Sequence, residues 1–120
     1  MLTDLTLTQA QTKLRAGEIT AVELTQAHLD RIQAVDPQVK AFLTITAERA
    51  LEDAAKADLS RQQGADTPLL GIPLAIKDVL VTKGVQTTCG SQILKGFIPP
   101  YTGTAVQKLF DAGAILKPAE

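Results

Sequence analysis

Lys77 is the residue whose position first suggests chemistry. It follows residues 70–76, a run that contains no charged side chain and is apolar on both faces, as in a strand covered on each side. A lysine at that place either extends its ammonium into water or keeps it partly desolvated. Desolvation favours the neutral amine, which can accept a proton from a nucleophilic hydroxyl directly or through a relay. Because most lysines at strand ends face solvent, the sequence alone leaves both interpretations open.

Asp78 follows Lys77 directly and bears on whether the lysine could act as a base. A carboxylate in contact with an ammonium group favours the protonated form of that group. Adjacent residues on an extended segment, however, point to opposite faces. We therefore expect the side chain of Asp78 to point away from that of Lys77.

The other residues with chemical potential stand alone in the sequence. His28 falls on the apolar face of a predicted helix, where a buried or half-buried structural histidine is favoured over a proton carrier. Ser91 lacks the Gly-x-Ser-x-Gly elbow of a serine nucleophile. Cys89 could line a pocket, but a cysteine without a nearby histidine is more often a small packing residue. With one His, one Cys and no phosphate-binding glycine motif, the chain is predicted to hold no metal and no cofactor.

Composition and charge argue against several classes of function. The 12 basic and 13 acidic residues are interspersed, give a net charge of -1 and form no Lys/Arg cluster, so we expect no autonomous nucleic-acid surface. No apolar run approaches the roughly 20 residues that a membrane-spanning helix needs. A single Cys and the absence of a signal-like start predict a cytoplasmic protein, and 120 residues suffice for about one domain.

Helix-start signals organise the chain around Lys77. Three capping boxes are present, and they pair Thr6 with Gln9, Thr20 with Glu23, and Thr104 with Gln107. The first predicted helix stops at Gly17, which tolerates a left-handed conformation. The second is predicted to end at about Asp36, because Pro37 disfavours helical geometry in the residue before it. A third helix is predicted to begin near Ala47, and the last one to end at Gly113.

Short apolar segments alternate with these helices. Residues 41–46, 70–76 and 114–116 are each predicted to form a strand, although Pro73 favours an edge or irregular position for the second. Residues 82–100 are rich in Gly, Thr, Ser and Pro, which predicts an ordered loop without helices. The alternation indicates an α/β fold, in which ligands gather at the carboxyl ends of the strands.

The residues around Lys77 resemble a motif of a known family. The lysine motif of the amidase-signature family is similar to Gly71-Ile72-Pro73-Leu74-Ala75-Ile76-Lys77-Asp78, and the similarity continues through residues 14–20, 39–43, 83–91 and 112–116. It implies an α/β fold with helices packed around a mixed β-sheet, of which this chain holds an incomplete, N-terminal portion. We expect a helical start at 1–64, the catalytic-lysine strand and loop at 65–103, and a helix and strand at 104–120.

The resemblance also implies amide hydrolysis by a Ser–cis-Ser–Lys triad. In that family one serine attacks the carbonyl, a second serine held by a cis peptide relays its proton, and the lysine is the base. Lys77 matches the lysine of the motif and is therefore the expected catalytic residue. The family places both serines, and the Gly/Ser-rich segment of the oxyanion hole, further along than residue 120. The isolated chain is accordingly expected to be inactive, as one part of a longer protein.

Within the family, the flanking runs are most similar to the A subunits of glutamyl-tRNA(Gln) amidotransferases. That similarity implies release of ammonia from glutamine, the B and C subunits as partners, and tRNA bound mainly through the B subunit. ATP and Mg are then expected on that partner, and no contact with a membrane is expected. Two alternatives stay open: a fragment of a stand-alone amidase that acts on small amides, and a truncated, non-catalytic interaction piece.

Overall fold

In the computed structural model, residues 1–119 are described, with the backbone alone for residues 116–119. Within that range a short 3-10 helix at Leu2–Asp4 precedes four α-helices and two strands. The helices are α1 (Leu7–Ala16), α2 (Ala21–Val39), α3 (Ala47–Gln62) and α4 (Thr104–Asp111). The strands are β1 (Pro73–Ile76) and β2 (Ile115–Ala119). Glu120, which ends the predicted helix-and-strand part, lies outside the described residues.

The first predicted helix is confirmed together with both of its end signals. The hydroxyl of Thr6 accepts a hydrogen bond from the amide of Gln9 at 3.2 Å, and the amide of Thr6 donates to the Gln9 side chain at 2.9 Å. This reciprocal pair is a capping box, which satisfies donors that a helix start leaves without partners. At the other end Gly17 adopts a left-handed conformation with a φ of 75°. Local sequence alone therefore defines α1.

The second helix begins as predicted, with one bond of its capping box in place. The hydroxyl of Thr20 accepts from the amide of Glu23 at 3.0 Å. The first amides of α2 are bound from a different helix, because the Asp58 carboxylate of α3 accepts from Ala21 at 2.7 Å and from Val22 at 3.1 Å. A carboxylate at a helix N-terminus is favoured by the helix dipole. This contact fixes the start of α2 against α3.

The predicted end of α2 at Asp36 is wrong, because the helix continues through Pro37 to Val39. Proline has a φ that suits a helix, and its missing N–H removes one hydrogen bond near the last turn. Asp36 compensates at this end: its carbonyl accepts from the amide of Lys40 at 2.6 Å, and its carboxylate accepts from Ala41 at 2.7 Å. The helix then stops at Lys40, whose φ is 56°. Side-chain capping has overridden the local preference.

The predicted strand at residues 41–46 is also wrong. The segment connects α2 to α3, and Thr44 forms an isolated bridge there. Leu43 and Ile45 are 61% and 55% exposed. Apolar and β-branched residues favour strands because they pack against cross-strand and same-face neighbours. These exposed side chains lack that packing, so composition does not produce a strand.

The last helix is present, but its predicted cap is wrong. Gly103 is the N-cap, and its amide donates to the carbonyl of Val81 at 2.9 Å. Thr104 is therefore already helical, and its side chain does not occupy the capping position. Val106 is 1% exposed and anchors the helix in the core. Gly113 follows the helix with a φ of 100°, which agrees with the predicted stop.

β1 and β2 form a two-stranded parallel sheet. The amide of Ile115 donates to the carbonyl of Ile72 at 2.8 Å, and Pro73 is paired with Ile115 in register. Pro73 is the first residue of β1, a position that tolerates its missing N–H. Parallel neighbours need a crossover connection, and residues 77–114, which include α4, provide it. The mixed sheet of the expected fold is thus represented by one parallel pair within residues 1–119.

Two hydrophobic clusters hold these elements together. The larger cluster joins α1, α2 and α3 to the residues just before β1 and to the first residue of β2. Its buried members are Ala10, Leu14, Ala21, Leu24, Ala50, Ala54, Ala57, Leu70, Ile72 and Ile115. The smaller cluster consists of Ile76, Val85 and Val106. Leu74 packs against both of them. The alanines of α3 are spaced at helical intervals, and their small side chains let the neighbouring backbones approach.

None of the described helices combines the length and the apolarity that crossing a bilayer requires.

Gly113 provides a test of this architecture. A Cβ at this position would lie 2.5 Å from the Cα of Leu70 and 2.8 Å from its amide nitrogen, and the positive φ adds strain. Gly113→Ala is expected to lower the free energy of unfolding by about 3 kcal/mol or more, since both overpacking and a left-handed alanine are unfavourable. Urea denaturation followed by circular dichroism measures this change.

The matched control is Gly64→Ala, because Gly64 has a similar φ of 97° but no atom within 4 Å of the added Cβ. It is expected to cost about 1 kcal/mol, the strain of a left-handed alanine alone. Equal losses in the two variants would contradict the close approach between Gly113 and Leu70.

Candidate active site

Lys77 lies at the carboxyl end of β1, directly after the buried Ile76 of the smaller cluster. The register of β1 shifts between Leu74 and Ile76, so the regular ladder is interrupted just before the lysine. Lys77 is exposed, and its carbonyl accepts from the amide of Leu80 at 3.0 Å, which closes a turn. Of the two interpretations that the sequence left open, the solvent-facing one holds within residues 1–119.

Asp78 takes the opposite orientation and is 5% exposed. One carboxylate oxygen accepts from the amide of Thr88 at 2.9 Å, and the other accepts from the hydroxyl of Thr88. The carbonyl of Asp78 accepts from the amide of Cys89 at 3.0 Å. Burying a carboxylate is costly unless hydrogen bonds satisfy it, and these bonds do so. The prediction that Asp78 points away from Lys77 agrees with this geometry.

A tight turn follows Thr88 and lies beside the strand exit. Cys89 and Gly90 are both left-handed, with φ of 52° and 71°. Thr88 supports both sides of this turn, because its hydroxyl accepts from Gly90 at 3.2 Å and its carbonyl accepts from Ser91 at 2.9 Å. A non-glycine residue with positive φ is uncommon and marks a position that its surroundings determine. The turn is therefore fixed relative to Asp78.

The loop after Lys77 is ordered by backbone hydrogen bonds between its two halves, and no helix lies within its residues 82–100. The amide of Gly84 donates to Pro99 at 3.2 Å, and the amide of Thr87 donates to Phe97 at 3.0 Å. Thr87 is also buried, and its hydroxyl donates to the carbonyl of Val85 at 3.2 Å. The prediction of an ordered, helix-free loop is confirmed.

Large apolar side chains of the same loop remain exposed. Val79 and Leu80 are 49% and 42% exposed immediately after the lysine and its buried neighbour. Others follow further along the loop: Ile93, Phe97, Ile98 and Tyr101. Exposed apolar surface of this kind is typical of interaction sites. The surroundings of Lys77 are open within residues 1–119.

The remaining candidates do not gather around Lys77. His28 is half-buried in a small cavity of about 210 Å³ between the start of the chain, α2 and β1, which agrees with the predicted half-buried histidine. The Ser91 hydroxyl accepts from the amide of Ile93 at 3.2 Å and so belongs to the turn. Cys89 is a free cysteine and is exposed. Its predicted role as a small packing residue is therefore wrong.

Sequence reasoning missed the pairing of Asp78 with Thr88. The two residues are ten positions apart in a stretch without periodicity, and hydrogen bonds across such a loop leave no pattern in composition or spacing. The sequence predicted only that Asp78 points away from Lys77, and a carboxylate that becomes buried needs donors. Thr88 supplies both of them, through its amide and its hydroxyl.

Comparison with known proteins shows which family the chain belongs to. The family model described as Amidase matches residues 23–117, which run from the first turn of α2 through β1, the loop after it and α4 to the middle of β2. The chain belongs to the amidase family. The resemblance stated from the lysine motif is therefore confirmed.

Individual relatives are similar over nearly the whole chain. The A subunit of a glutamyl-tRNA(Gln) amidotransferase from Desulfatibacillum aliphaticivorans is 56% identical over 115 residues, which cover 96% of this chain and 24% of that protein. Its counterpart from Chloroflexus aurantiacus is 57% identical over 113 residues, covering 93% and 23%. The native peptide amidase of Stenotrophomonas maltophilia matches with a TM-score of 0.90 at 36% identity, over 97% of this chain and 24% of that one.

The chain therefore spans about a quarter of the length of the curated relatives that it matches. The same coverage of solved amidases identifies the fold as a partial segment of the amidase-signature fold, helical with little sheet. The expected fold class is thus confirmed, including its incompleteness.

The left-handed conformation of Cys89 can be tested by substitution. Cys89→Val is expected to lower the free energy of unfolding by about 1–2 kcal/mol, because a β-branched residue is a strained occupant of positive φ. Asn tolerates that region, so Cys89→Asn is expected to stay within about 0.5 kcal/mol of the original protein. Thermal denaturation compares the two variants. Equal stability of the Val and Asn variants would contradict the left-handed turn.

Proposed function

We propose that this chain is the N-terminal segment of the A subunit of a glutamyl-tRNA(Gln) amidotransferase and that it supplies the base of amide hydrolysis, Lys77. The observation that carries the proposal is 56% identity over 115 residues to a protein of that name, with Lys77 at the carboxyl end of a parallel strand. Such strand ends are where α/β folds assemble their sites. In the parent protein, glutamine is the substrate and ammonia the product that is transferred to the activated tRNA.

The role proposed for Lys77 follows from its surroundings. Both oxygens of the Asp78 carboxylate accept hydrogen bonds from Thr88, and the form of Lys77 that is proposed to act as the base is its neutral amine. The neutral amine can then accept a proton that a relay serine takes from the nucleophilic serine. Both serines are proposed to lie in the part of the parent beyond residue 120. Those further residues also cover the exposed apolar side chains of the loop and so remove water from around Lys77.

The partners proposed for the parent follow from the same similarity to amidotransferase A subunits. The B subunit is proposed to bind ATP, Mg and most of the tRNA, with the C subunit as a further component. The interspersed charges and the net charge of -1 support a division in which this segment contacts no phosphate backbone. A cytoplasmic location is proposed from the same similarity.

A second candidate is a stand-alone amidase. The peptide amidase of Stenotrophomonas maltophilia, with a TM-score of 0.90, favours this alternative at the level of fold. Purified parent protein, assayed with glutamine and with a panel of aliphatic and aryl amides, separates the two functions. Preference for glutamine, together with formation of Gln-tRNA(Gln) when the partner subunits and ATP are added, supports the amidotransferase. Hydrolysis of small amides without glutamine turnover overturns it.

The base is tested by Lys77→Ala in the full-length parent. A general base contributes roughly 10²–10⁴-fold to rate, so glutaminase turnover is expected to fall by that factor. Ammonia release at saturating glutamine measures it. The matched control is Lys108→Ala, since Lys108 is an exposed lysine of α4 remote from β1 in sequence. Retention of full activity by Lys77→Ala, or an equal loss in the control, would contradict the assignment.

The isolated 120-residue chain is expected to release no ammonia from glutamine above the buffer rate. A base without its nucleophile cannot form an acyl-enzyme intermediate. A coupled glutamate dehydrogenase assay detects the product. If a rate is measured and Lys77→Ala abolishes it, the nucleophile lies within these residues and the proposed triad is wrong. This result would also count against a silent, non-catalytic piece.

A further inference from the structure

The segment around Lys77 combines an exposed lysine with a buried carboxylate at the next position. A lysine side chain is long and loses much conformational freedom when it is fixed. Within residues 1–119, what holds Lys77 in place is its backbone, because its side chain faces solvent. The groups that fix this backbone therefore determine where the amine can reach.

On its upstream side, Lys77 is anchored by the buried Ile76. On its downstream side, Asp78 makes three hydrogen bonds to one dipeptide: two to Thr88 through its carboxylate and one to Cys89 through its carbonyl. Two of these bonds involve a charged acceptor, which makes them stronger than bonds between neutral groups. The backbone just after β1 is therefore held more firmly than it would be by hydrogen bonds between neutral groups.

The hydrogen bonds extend from Thr88 into the left-handed turn. The same hydroxyl that binds the Asp78 carboxylate accepts from the amide of Gly90, so one atom connects the strand exit to the turn. Networks of this kind are rigid when every member is satisfied. The turn formed by residues 88–91 is thereby held at a fixed place beside Asp78, the residue that follows Lys77.

Asp78 is buried and Thr88 is half-buried, and both lie in the loop that follows β1. An apolar pair would suffice if the loop had only to be closed, and burying a carboxylate is a costly way to close it. What these two residues hold is the backbone immediately after Lys77 and the adjacent turn. This placement favours a role in the site over a role in the core.

We propose that Asp78 and Thr88 are positioning residues, which act through Lys77 by fixing its backbone beside the turn at residues 88–91. The inference rests on the proposed function, since it assumes that Lys77 is the base. A base displaced by about 1 Å can cost about 10²-fold in rate, so a hydrogen bond that sets its position affects turnover more than substrate affinity. The predicted signature is a lower kcat with little change in KM.

The test uses Thr88→Val and Thr88→Ser in the full-length parent, assayed for ammonia release from glutamine. Thr88→Val keeps the shape and the amide but removes the hydroxyl that binds Asp78 and Gly90. We expect its kcat to fall by about tenfold or more with KM within about twofold. Thr88→Ser restores the hydroxyl and is expected to recover kcat to within about threefold of the original enzyme. Melting temperatures of both variants are measured alongside.

A second variant, Asp78→Asn, keeps the volume and replaces the charged acceptor, and it is expected to show the same fall in kcat. A kcat within about twofold of the original in a folded Thr88→Val or Asp78→Asn variant overturns the proposal. A change confined to KM also overturns it, as does failure of both variants to fold, because the pair would then be structural.

Lys77→Ala, assayed in parallel, separates the two levels of inference. If Lys77→Ala is inactive while folded Thr88→Val and Asp78→Asn are fully active, Lys77 remains the base and the positioning role alone is wrong. If Lys77→Ala is fully active, the proposed function itself fails.

Discussion

The pairing of β1 with β2 is the interaction on which the rest of the structure depends. The bond from the amide of Ile115 to the carbonyl of Ile72 joins two buried residues that are 43 positions apart (115 − 72). Through it, α4 and the long loop are brought back onto the helices at the start of the chain. Leu74, one residue into the paired strand, contacts both hydrophobic clusters. The strand that presents Lys77 is thus fixed from both sides of its sequence.

Close backbone contact makes this pairing possible. The amide of Gly71 donates to the carbonyl of Gly113 at 3.1 Å, and the amide of Leu69 donates to Ala112 at 2.8 Å. A Cβ at Gly71 would lie 3.0 Å from that of Ala21, at the start of α2. The two glycines are therefore needed for proximity as well as for their positive φ. Gly71, the first residue of the lysine motif, is therefore required by backbone packing, independently of the role of Lys77 near the end of that motif.

Sequence reasoning succeeded where the cause of a structure is local. The capping box of Thr6 and Gln9 and the left-handed stop at Gly17 predicted α1 correctly, because every partner lies within a few residues. It failed where contacts that form only in the folded chain determine the local structure. Asp36 caps the end of α2 and lets the helix pass Pro37, and the exposed segment at residues 41–46 lacks the neighbours that its strand-like composition needs. The lysine motif was enough to predict the family. The pairing of Asp78 with Thr88 depends on a folded loop and left no pattern in the sequence.

Lys77 and Asp78 are adjacent in the sequence but differ in how their surroundings satisfy them. Asp78 and Thr88 satisfy each other within residues 1–119, so the geometry of the strand exit needs no further chain. Lys77 and the apolar side chains of the following loop, by contrast, face solvent. A base needs both a fixed position and a controlled environment, and these have different physical origins: hydrogen bonds set the first, and exclusion of water sets the second. In the proposed site, residues 1–119 supply the position of Lys77 and leave its side chain exposed.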